Sequence, residues 1–234
     1  MTRNPKELAR GGSMVEFMLL VPVWLPLILG TLWIGSAMVR LLQVTQVARD
    51  ADSMFSRGTD FSVAAGANAD NPALNSVLPN VVSSLGTVTT TGTGVFIFST
   101  LTYVGNSVCA SLGPTYGTAP SAGNAGSFTG LCTNHGYFVF TQQYVVGNSG
   151  LRSSRFGTPT AADLDAANSY KVDLPLTYVT HAGDRSTFNL LPAPAELGAD
   201  GYQSGQPIYV VEAFFSGHGQ AGYTQGGDYA YAVF

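Results

Sequence analysis

A long uncharged segment near the N-terminus constrains this chain more than any other feature. Residues 17–39, FMLLVPVWLPLILGTLWIGSAMV, contain no charged side chain. At about 1.5 Å of rise per residue, a helix of this length crosses a hydrocarbon core roughly 30 Å thick. Charged residues make up only 10% of the 234-residue chain, whereas about 25% is usual for soluble domains. The composition therefore favours a membrane or exported protein over a cytosolic one.

Basic residues before the apolar run favour one orientation in a membrane. Arg3, Lys6 and Arg10 precede the run, with Glu7 as the one acid among them. Positive flanks tend to stay on the cytoplasmic side of a membrane. We therefore expect the N-terminus in the cytoplasm and the chain after Arg40 across the membrane.

Three interpretations of the apolar segment compete. A secretory signal peptide could be cleaved after Ala37, where small residues stand at a suitable spacing, but signal peptides use a shorter apolar run, roughly 7–15 residues. A plain membrane anchor fits the length but leaves Glu16 unexplained. A carboxylate costs about 2.5–3.5 kcal/mol at the bilayer centre and less near the interface. The third interpretation, which rests on the residues just before the apolar run, therefore gives the Glu16 carboxylate a partner.

The residues just before the apolar run indicate what that partner is. The basic leader is followed by the string GGSMVEF, which begins at Gly11. If a peptidase cuts after Gly11, Glu16 becomes the fifth residue of a chain that begins at Gly12. This arrangement resembles the processing site of type IV pilins and pseudopilins. With Pro22 and Pro26 in the apolar run, the segment is similar in particular to the TadE-like minor pilins of tight-adherence (Flp) systems.

The resemblance implies a processing and assembly mechanism. It implies a leader of residues 1–11 that a prepilin peptidase removes between Gly11 and Gly12. In the family the fifth-residue Glu, here Glu16, engages the free amino terminus of a neighbouring subunit, and a carboxylate in a low-dielectric helix bundle needs such a cation. The implied assembly residues are Glu16, Phe17, Pro22 and Pro26. The prolines would let the helix bend, or they are simply tolerated in a membrane helix.

The apolar helix is expected to continue beyond the membrane segment. Apolar residues recur at steps of three and four, as on one face of a helix: Leu41, Val44, Ala48, Ala51 and Phe55. Gly58 then supplies a helix stop. We therefore expect one helix over residues 12–57, with an apolar face at its end that docks on another part of the molecule.

Residues 59–86 are expected to form a linker and a short helix that starts near Asn71. Residues 87–234 have the pattern of an exported β-rich domain. Runs rich in β-branched and aromatic residues, separated by turn formers, predict strands: about 87–104, 137–146, 170–180, 208–216 and 228–234. A helical pattern lies between them only weakly, at 160–169. The sheet should be mostly antiparallel, which gives an α+β fold.

Two of the predicted strands resemble each other and flank the two cysteines. Residues 94–107 and 136–149 share seven of fourteen positions, so we expect them to be neighbouring strands, whether or not they arose by duplication. The loop between Cys109 and Cys132 is rich in Gly, Ser and Pro. If the strands pair antiparallel, a Cys109–Cys132 disulfide would close this loop, which export permits. Two buried thiols are the alternative.

The remaining motifs do not indicate an enzyme. Residues 217–222 match G-x-G-x-x-G, but strand and turn formers follow instead of the helix that a dinucleotide needs. The three histidines lack metal-ligand spacing, and Asp163 with Asp165 is more typical of a helix start than of a cation site. Glu212 alternates with apolar residues in a strand and is expected to face solvent. We predict no catalytic residue, cofactor or metal.

These observations predict a structural, pilin-like subunit within, at the tip or at the base of a Tad/Flp pilus. The resemblance implies the prepilin peptidase, other pilin subunits and the inner-membrane assembly platform as partners, with the C-terminal domain first periplasmic and then extracellular. Nucleic acid is excluded, because the chain after residue 58 holds four basic and ten acidic residues and would repel phosphates. The alternatives are a major filament-forming pilin, a membrane-anchored adhesion or binding module, and, less favoured, a secreted hydrolase.

Overall fold

A computed structural model describes residues 9–62, 84–118, 127–128, 131–172, 175–188, 204–217 and 226–234. The chain divides into two compact units, Met1–Leu42 and Gln43–Phe234. A long N-terminal helix is followed by an antiparallel sheet. The predicted α+β class is therefore confirmed.

Helix α1 extends from Ala9 to Ser56 without interruption and includes Pro22 and Pro26. It ends at the predicted stop, where Gly58 has a φ of +87°. Glycine tolerates this left-handed conformation because it has no Cβ. The Gly58 amide donates a hydrogen bond to the carbonyl oxygen of Phe55 at 2.9 Å, which closes the last turn.

The main sheet has six strands, all paired antiparallel. Its strands are β1 (Gly94–Tyr103), β4 (Phe138–Gly147), β5 (Leu164–Asp165), β6 (Lys171–Val172), β7 (Pro207–Ser216) and β8 (Gly227–Val233). They lie in the order β5-β6-β4-β1-β7-β8. A separate two-stranded sheet joins β2 (Gly117–Thr118) to β3 (Ser127–Phe128). The described helices beyond α1 include α2 (Asn106–Ser111) and α3 (Pro175–Thr180).

Strands β1 and β4 are the two similar segments, and they are neighbours as predicted. Val95 lies opposite Gly147 and Phe98 lies opposite Tyr144 in the antiparallel register. Strand β7 pairs with the other edge of β1 and places Glu212 opposite Ile97. Strand β1 is therefore central, and nine of its ten residues are buried.

The last turns of α1 fill one face of the sheet. Val44, Ala48 and Ala51 are fully buried and Phe55 is 4% exposed, so most of the predicted stripe is confirmed. Their core cluster includes side chains from β1, β4, β7 and β8. Leu41 was wrongly placed in this stripe: it is 47% exposed. It belongs to the unit Met1–Leu42, so the docked stripe begins only at Val44.

Aromatic rings concentrate where α1 ends. The ring of Phe55 meets those of Phe98, Tyr144 and Tyr209 edge to face, with centroids 5.4, 5.9 and 5.2 Å away. Phe61, just beyond the helix, stacks on Phe98 at 4.8 Å. Its amide donates to the Tyr144 hydroxyl at 3.3 Å. Such ring pairs contribute about 0.5–1.5 kcal/mol each beyond their burial, so Phe55 is the principal contact between helix and sheet.

The other face of the sheet has its own core. Leu101, Phe140, Ile208 and Val210 from the strands pack with Phe188 from a later connection. Side chains alternate across a strand, so each strand supplies both cores. Both faces of the central strands are therefore covered.

The predicted strand at 170–180 is wrong for most of its length. Among its described residues, 170–172 and 175–180, only Lys171–Val172 is extended, and Pro175–Thr180 is a short helix. Proline suits the first helical position, because its ring presets φ and the missing N–H is not needed there. The weak helical pattern at 160–169 is realised only as two 3₁₀ turns, Ala161–Asp163 and Ala166–Asn168.

Two further expectations concern the approach to β1. The strand predicted from residue 87 begins only at Gly94, because the Gly94 amide bonds to the Thr87 carbonyl at 2.9 Å and folds the intervening residues into a turn. The short helix expected from Asn71 lies largely outside the described residues. Within the described part, 84–85 are helical.

A disulfide joins Cys109 to Cys132, with their Cα atoms 5.9 Å apart. Cys109 lies in α2, which directly follows β1, and Cys132 lies shortly before β4. Both cysteines are buried, and they pack with Val104 and Val139. The predicted bridge is present in the structure, and it closes the glycine-rich loop at the end of the paired strands.

We predict that Phe55→Ala lowers the free energy of unfolding by about 3–5 kcal/mol, because it removes a buried ring and leaves a cavity among three other rings. The measurement is urea unfolding of the full chain in detergent micelles, followed by tyrosine fluorescence. Phe234→Ala is the matched control, since this ring is 74% exposed. Equal effects of the two substitutions would contradict the assignment of Phe55 as the principal helix–sheet contact.

Candidate functional site

The candidate functional site is the part of α1 that lies in the N-terminal unit. Most large apolar side chains between Met14 and Leu42 are exposed, by between 47% and 70%. By length and composition, the helix Glu16–Ser56 could cross a membrane. Exposed apolar surface of this extent marks a membrane segment or a protein interface.

The few polar and small residues in this helix suit an apolar environment. The hydroxyls of Thr31 and Ser36 donate to carbonyl oxygens three residues earlier, at 2.9 and 2.8 Å, so the helix itself satisfies them. At Gly30 and Gly35, an added Cβ would meet no atom within 4 Å. Small residues on an open helix face let another helix approach closely.

Glu16 carries the only charge within residues 11–39, and its side chain is exposed. Gly11 and Gly12 lie in the first turns of α1. Glycine is the weakest helix former after proline, so these two residues contribute little to the stability of the helix. Cleavage at Gly11–Gly12 and the assembly roles of Glu16, Phe17, Pro22 and Pro26 stay predictions.

A second candidate surface lies in the C-terminal unit, where a cavity of about 370 Å³ is lined by Phe55, Asp60, Lys171 and Tyr209 among others. Burial opposes ionisation of Asp60, but hydrogen bonds from Ser169 and Ser62, together with the charge of Lys171, hold its pKa below the usual value. The cavity therefore presents an ionised carboxylate and aromatic rings. This surface suits a small polar molecule.

Glu212 was predicted to face solvent, and this expectation is wrong. The side chain is only 2% exposed. Its carboxylate accepts hydrogen bonds from the Ser154 hydroxyl, the Arg155 amide at 2.9 Å and the Tyr229 hydroxyl at 2.6 Å. Strand alternation directs Glu212 away from α1, but the connection after β4 covers that face and brings the donors.

The same connection places arginines over aromatic rings. The guanidinium of Arg152 lies 3.9 Å from the Tyr229 ring centroid, and that of Arg155 lies 5.9 Å from the Tyr231 centroid. Burial, followed by the hydrogen bond and charge of Glu212, raises the pKa of Tyr229. Tyr229 therefore stays neutral and donates. The arrangement is a satisfied structural network that fastens the connection to the sheet.

One arrangement was missed at the sequence level. Asp163, His181 and Asp184 each bring a potential ligand atom to within 4.8 Å of the others. At that level Asp163 was considered only together with Asp165, whereas its neighbours in this arrangement lie 18 and 21 residues further along the chain. Three residues at such separations make no recognisable spacing, and they meet only because the turn after α3 packs against the turn Ala161–Asp163.

Comparison with protein families gives a match to the N-terminal helix. Residues 11–51 match the family described as TadE-like protein. The matched range contains most of α1, so the resemblance read from Gly11, Gly12 and Glu16 is confirmed for this segment. Comparison with curated proteins and with solved structures finds no match. The sheet domain therefore has to be interpreted from its own residues.

We predict that Glu212→Ala lowers the free energy of unfolding by at least about 2 kcal/mol, because it leaves buried donors without an acceptor. Glu212→Gln keeps one carbonyl oxygen in place and should lose less. The measurement is urea unfolding of the full chain, with Tyr229→Phe as a variant that removes only one hydrogen bond. A Glu212→Ala chain as stable as the wild type would contradict the network.

Proposed function

We propose that this chain, TadE-like over residues 11–51, is a structural pilin-like subunit of a Tad/Flp pilus. A prepilin peptidase would remove residues 1–11, and the helix that then begins at Gly12 would join other pilin helices. Before assembly, the helix would hold the protein in the bacterial inner membrane, with its C-terminal domain in the periplasm. The protein would act by packing and would have no catalytic role.

The observation that carries this proposal is the exposed apolar surface of α1. Helix packing requires a surface that can leave lipid and contact another helix. Most large apolar side chains between Met14 and Leu42 are exposed and provide such a surface. Lipid and a bundle of pilin helices are both apolar, so transfer between them exposes little apolar area to water. Gly30 and Gly35 would allow close approach in the bundle.

Glu16 would supply the specificity of assembly. Cleavage after Gly11 creates a new α-amino group on each subunit. Within a low-dielectric bundle, an isolated carboxylate is strongly unfavourable, and pairing with an amine offsets much of that cost. Only a neighbour in the correct axial register could bring its amine to Glu16, so the charge pair would also select the stagger between subunits.

The docked end of α1 would connect assembly to the exported domain. Val44, Ala48 and Phe55 are buried in the core of the sheet domain, and the same helix continues to Ala9. Assembly of the helix in a filament would therefore keep the domain attached to that filament. The Cys109–Cys132 disulfide suits a domain that works outside the reducing cytoplasm.

A binding module is a second candidate, favoured by the cavity beside Asp60 and Lys171. In that case the helix would act only as an anchor, and the cavity would hold a small polar ligand. The two candidates differ in the fate of residues 1–11. A plain anchor keeps them, whereas a pilin loses them.

The first test is the mass of the N-terminal peptide of the protein from a cell that has a Tad system. We expect a chain that begins at Gly12, with or without N-methylation. A start at Met1 or Thr2 would favour the plain anchor, and a start at Met38 would favour a secreted protein. Either result would contradict the pilin proposal.

The second test is Glu16→Ala expressed in the same cell. We expect the variant to be inserted and processed but to be reduced at least about tenfold in sheared filament fractions, because the amine of its neighbour loses its partner. Glu7→Ala is the matched control. It also removes a carboxylate, but from the leader, and the mature chain would lack the whole leader. Normal incorporation of Glu16→Ala would contradict the charge pairing.

A further inference from the structure

Two short turns meet beside the end of α3 and form a polar cluster. One is the 3₁₀ turn Ala161–Asp163 and the other is the 3₁₀ turn Ala182–Asp184. The Thr160 amide donates to Asp184 Oδ1 at 3.1 Å and links the two turns. Gly183 lies so close to Thr160 that an added Cβ would be 2.3 Å from the threonine hydroxyl. The turns are therefore closely packed.

Three side chains converge where these turns meet. His181 Nδ1 lies 2.9 Å from Asp163 Oδ2. One nitrogen or oxygen from each of Asp163, His181 and Asp184 lies within 4.8 Å of the others. We call these residues the Asp-His-Asp cluster. Around a tetrahedral divalent ion with ligand distances of about 2.0–2.2 Å, the ligand atoms lie about 3.3–3.6 Å apart, so the widest spacing in the cluster would have to shorten when an ion binds.

The inner member of the cluster has an unused acceptor. Asp184 is completely buried. Among the described residues, its Oδ2 is one of three buried side-chain atoms without a hydrogen-bond partner. Burial raises the pKa of Asp184, and the neighbouring Asp163 carboxylate adds to the shift. Two neighbouring carboxylates need a cation or a proton beside them, and the hydrogen bond to Asp163 that raises the pKa of His181 makes its imidazolium one such cation, whose place a metal ion would take.

The nearest arginine serves another purpose. Arg185 donates from Nε to Asn134 Oδ1 at 2.8 Å and from Nη2 to the Thr133 carbonyl. Asn134 in turn donates to the carbonyl oxygens of Tyr178 and His181 at 2.6 and 2.7 Å. These bonds fix the turn that carries His181 and Asp184. They leave the guanidinium directed at the neighbouring loop and not at the two carboxylates.

We propose that the Asp-His-Asp cluster binds one divalent transition-metal ion, with Zn²⁺ as the best fit. Its donors would be one imidazole nitrogen and two carboxylate oxygens, a set that zinc accepts in proteins. Mg²⁺ and Ca²⁺ prefer oxygen ligands alone, so the histidine selects against them. His181 is on the exposed side of the cluster, with 56% of its side chain accessible, and it provides the route of entry.

Metal binding would fasten the two turns to each other. Because only the folded state would bind zinc, zinc would stabilise the domain. The gain in the free energy of unfolding would grow with the logarithm of the ratio of zinc concentration to Kd. The proposal does not depend on the pilin function, because it uses only residues of the sheet domain. Failure of one leaves the other unaffected.

The test is titration of the full chain, purified without a histidine tag in detergent micelles, with ZnCl₂. Isothermal calorimetry measures stoichiometry and affinity, and a thermal scan measures the melting temperature. We expect one zinc ion per chain, a higher melting temperature with zinc, and little effect of MgCl₂. His181→Gln should weaken zinc binding by more than about tenfold, and zinc should no longer raise its melting temperature.

Two further variants complete the design. His135→Gln is the matched control, since this histidine lies beside Asn106, with Nε2 and Oδ1 2.7 Å apart, and it should bind zinc as the wild type does. Asp184→Asn should also lose binding, provided that circular dichroism shows a folded chain. His181 is exposed, so its variant carries the test if Asp184→Asn does not fold. The proposal is wrong if the wild-type chain binds no zinc, or if His181→Gln binds zinc with unchanged affinity.

Discussion

The packing of one helical stripe against one face of a sheet is the interaction on which the rest of this structure depends. Val44, Val47, Ala48 and Ala51 are almost fully buried, and Phe55 completes the stripe among three rings of the sheet. Without this stripe, an apolar sheet face would be open to water. The same helix extends to Ala9, so two different environments act on one continuous element. Its last turns are buried in a protein core, and its earlier turns expose apolar side chains that water cannot solvate favourably.

Local patterns predicted the helix and the central strands well. Steps of three and four residues identified Val44, Ala48, Ala51 and Phe55, because a helix with one buried face must repeat in this way. The similarity of residues 94–107 to 136–149 identified strands β1 and β4 as neighbours, and the cysteines that follow and precede them are joined as expected. Gly58 marked the helix end, because the turn there needs a positive φ. In each case the signal lies in the residues that form the structure.

Features set by distant parts of the chain were not predictable in the same way. Glu212 alternates with apolar residues and reads as solvent-facing, but it is buried by a connection that lies 57 residues earlier in the sequence. Residues 170–180 have the composition of a strand, yet Pro175 begins a helix there. The Asp-His-Asp cluster depends on this helix, because the turn that follows it carries two of the three side chains. The N-terminal segment is an intermediate case. GGSMVEF led to the TadE-like family, and the match over residues 11–51 confirms that resemblance, whereas cleavage after Gly11 and the pairing of Glu16 stay proposals.

The central claim is that the exposed part of α1 lies in lipid while its end lies in the domain core, and tryptophan fluorescence tests it most directly. Trp24 and Trp33 are the only tryptophans in the chain, and both lie on the exposed part of α1, at 63% and 59% accessibility. In the unmodified chain reconstituted into bilayers, the account predicts strong quenching by lipids brominated on their acyl chains and almost none by aqueous iodide. Emission typical of water, quenched by iodide and unaffected by brominated lipids, would contradict it.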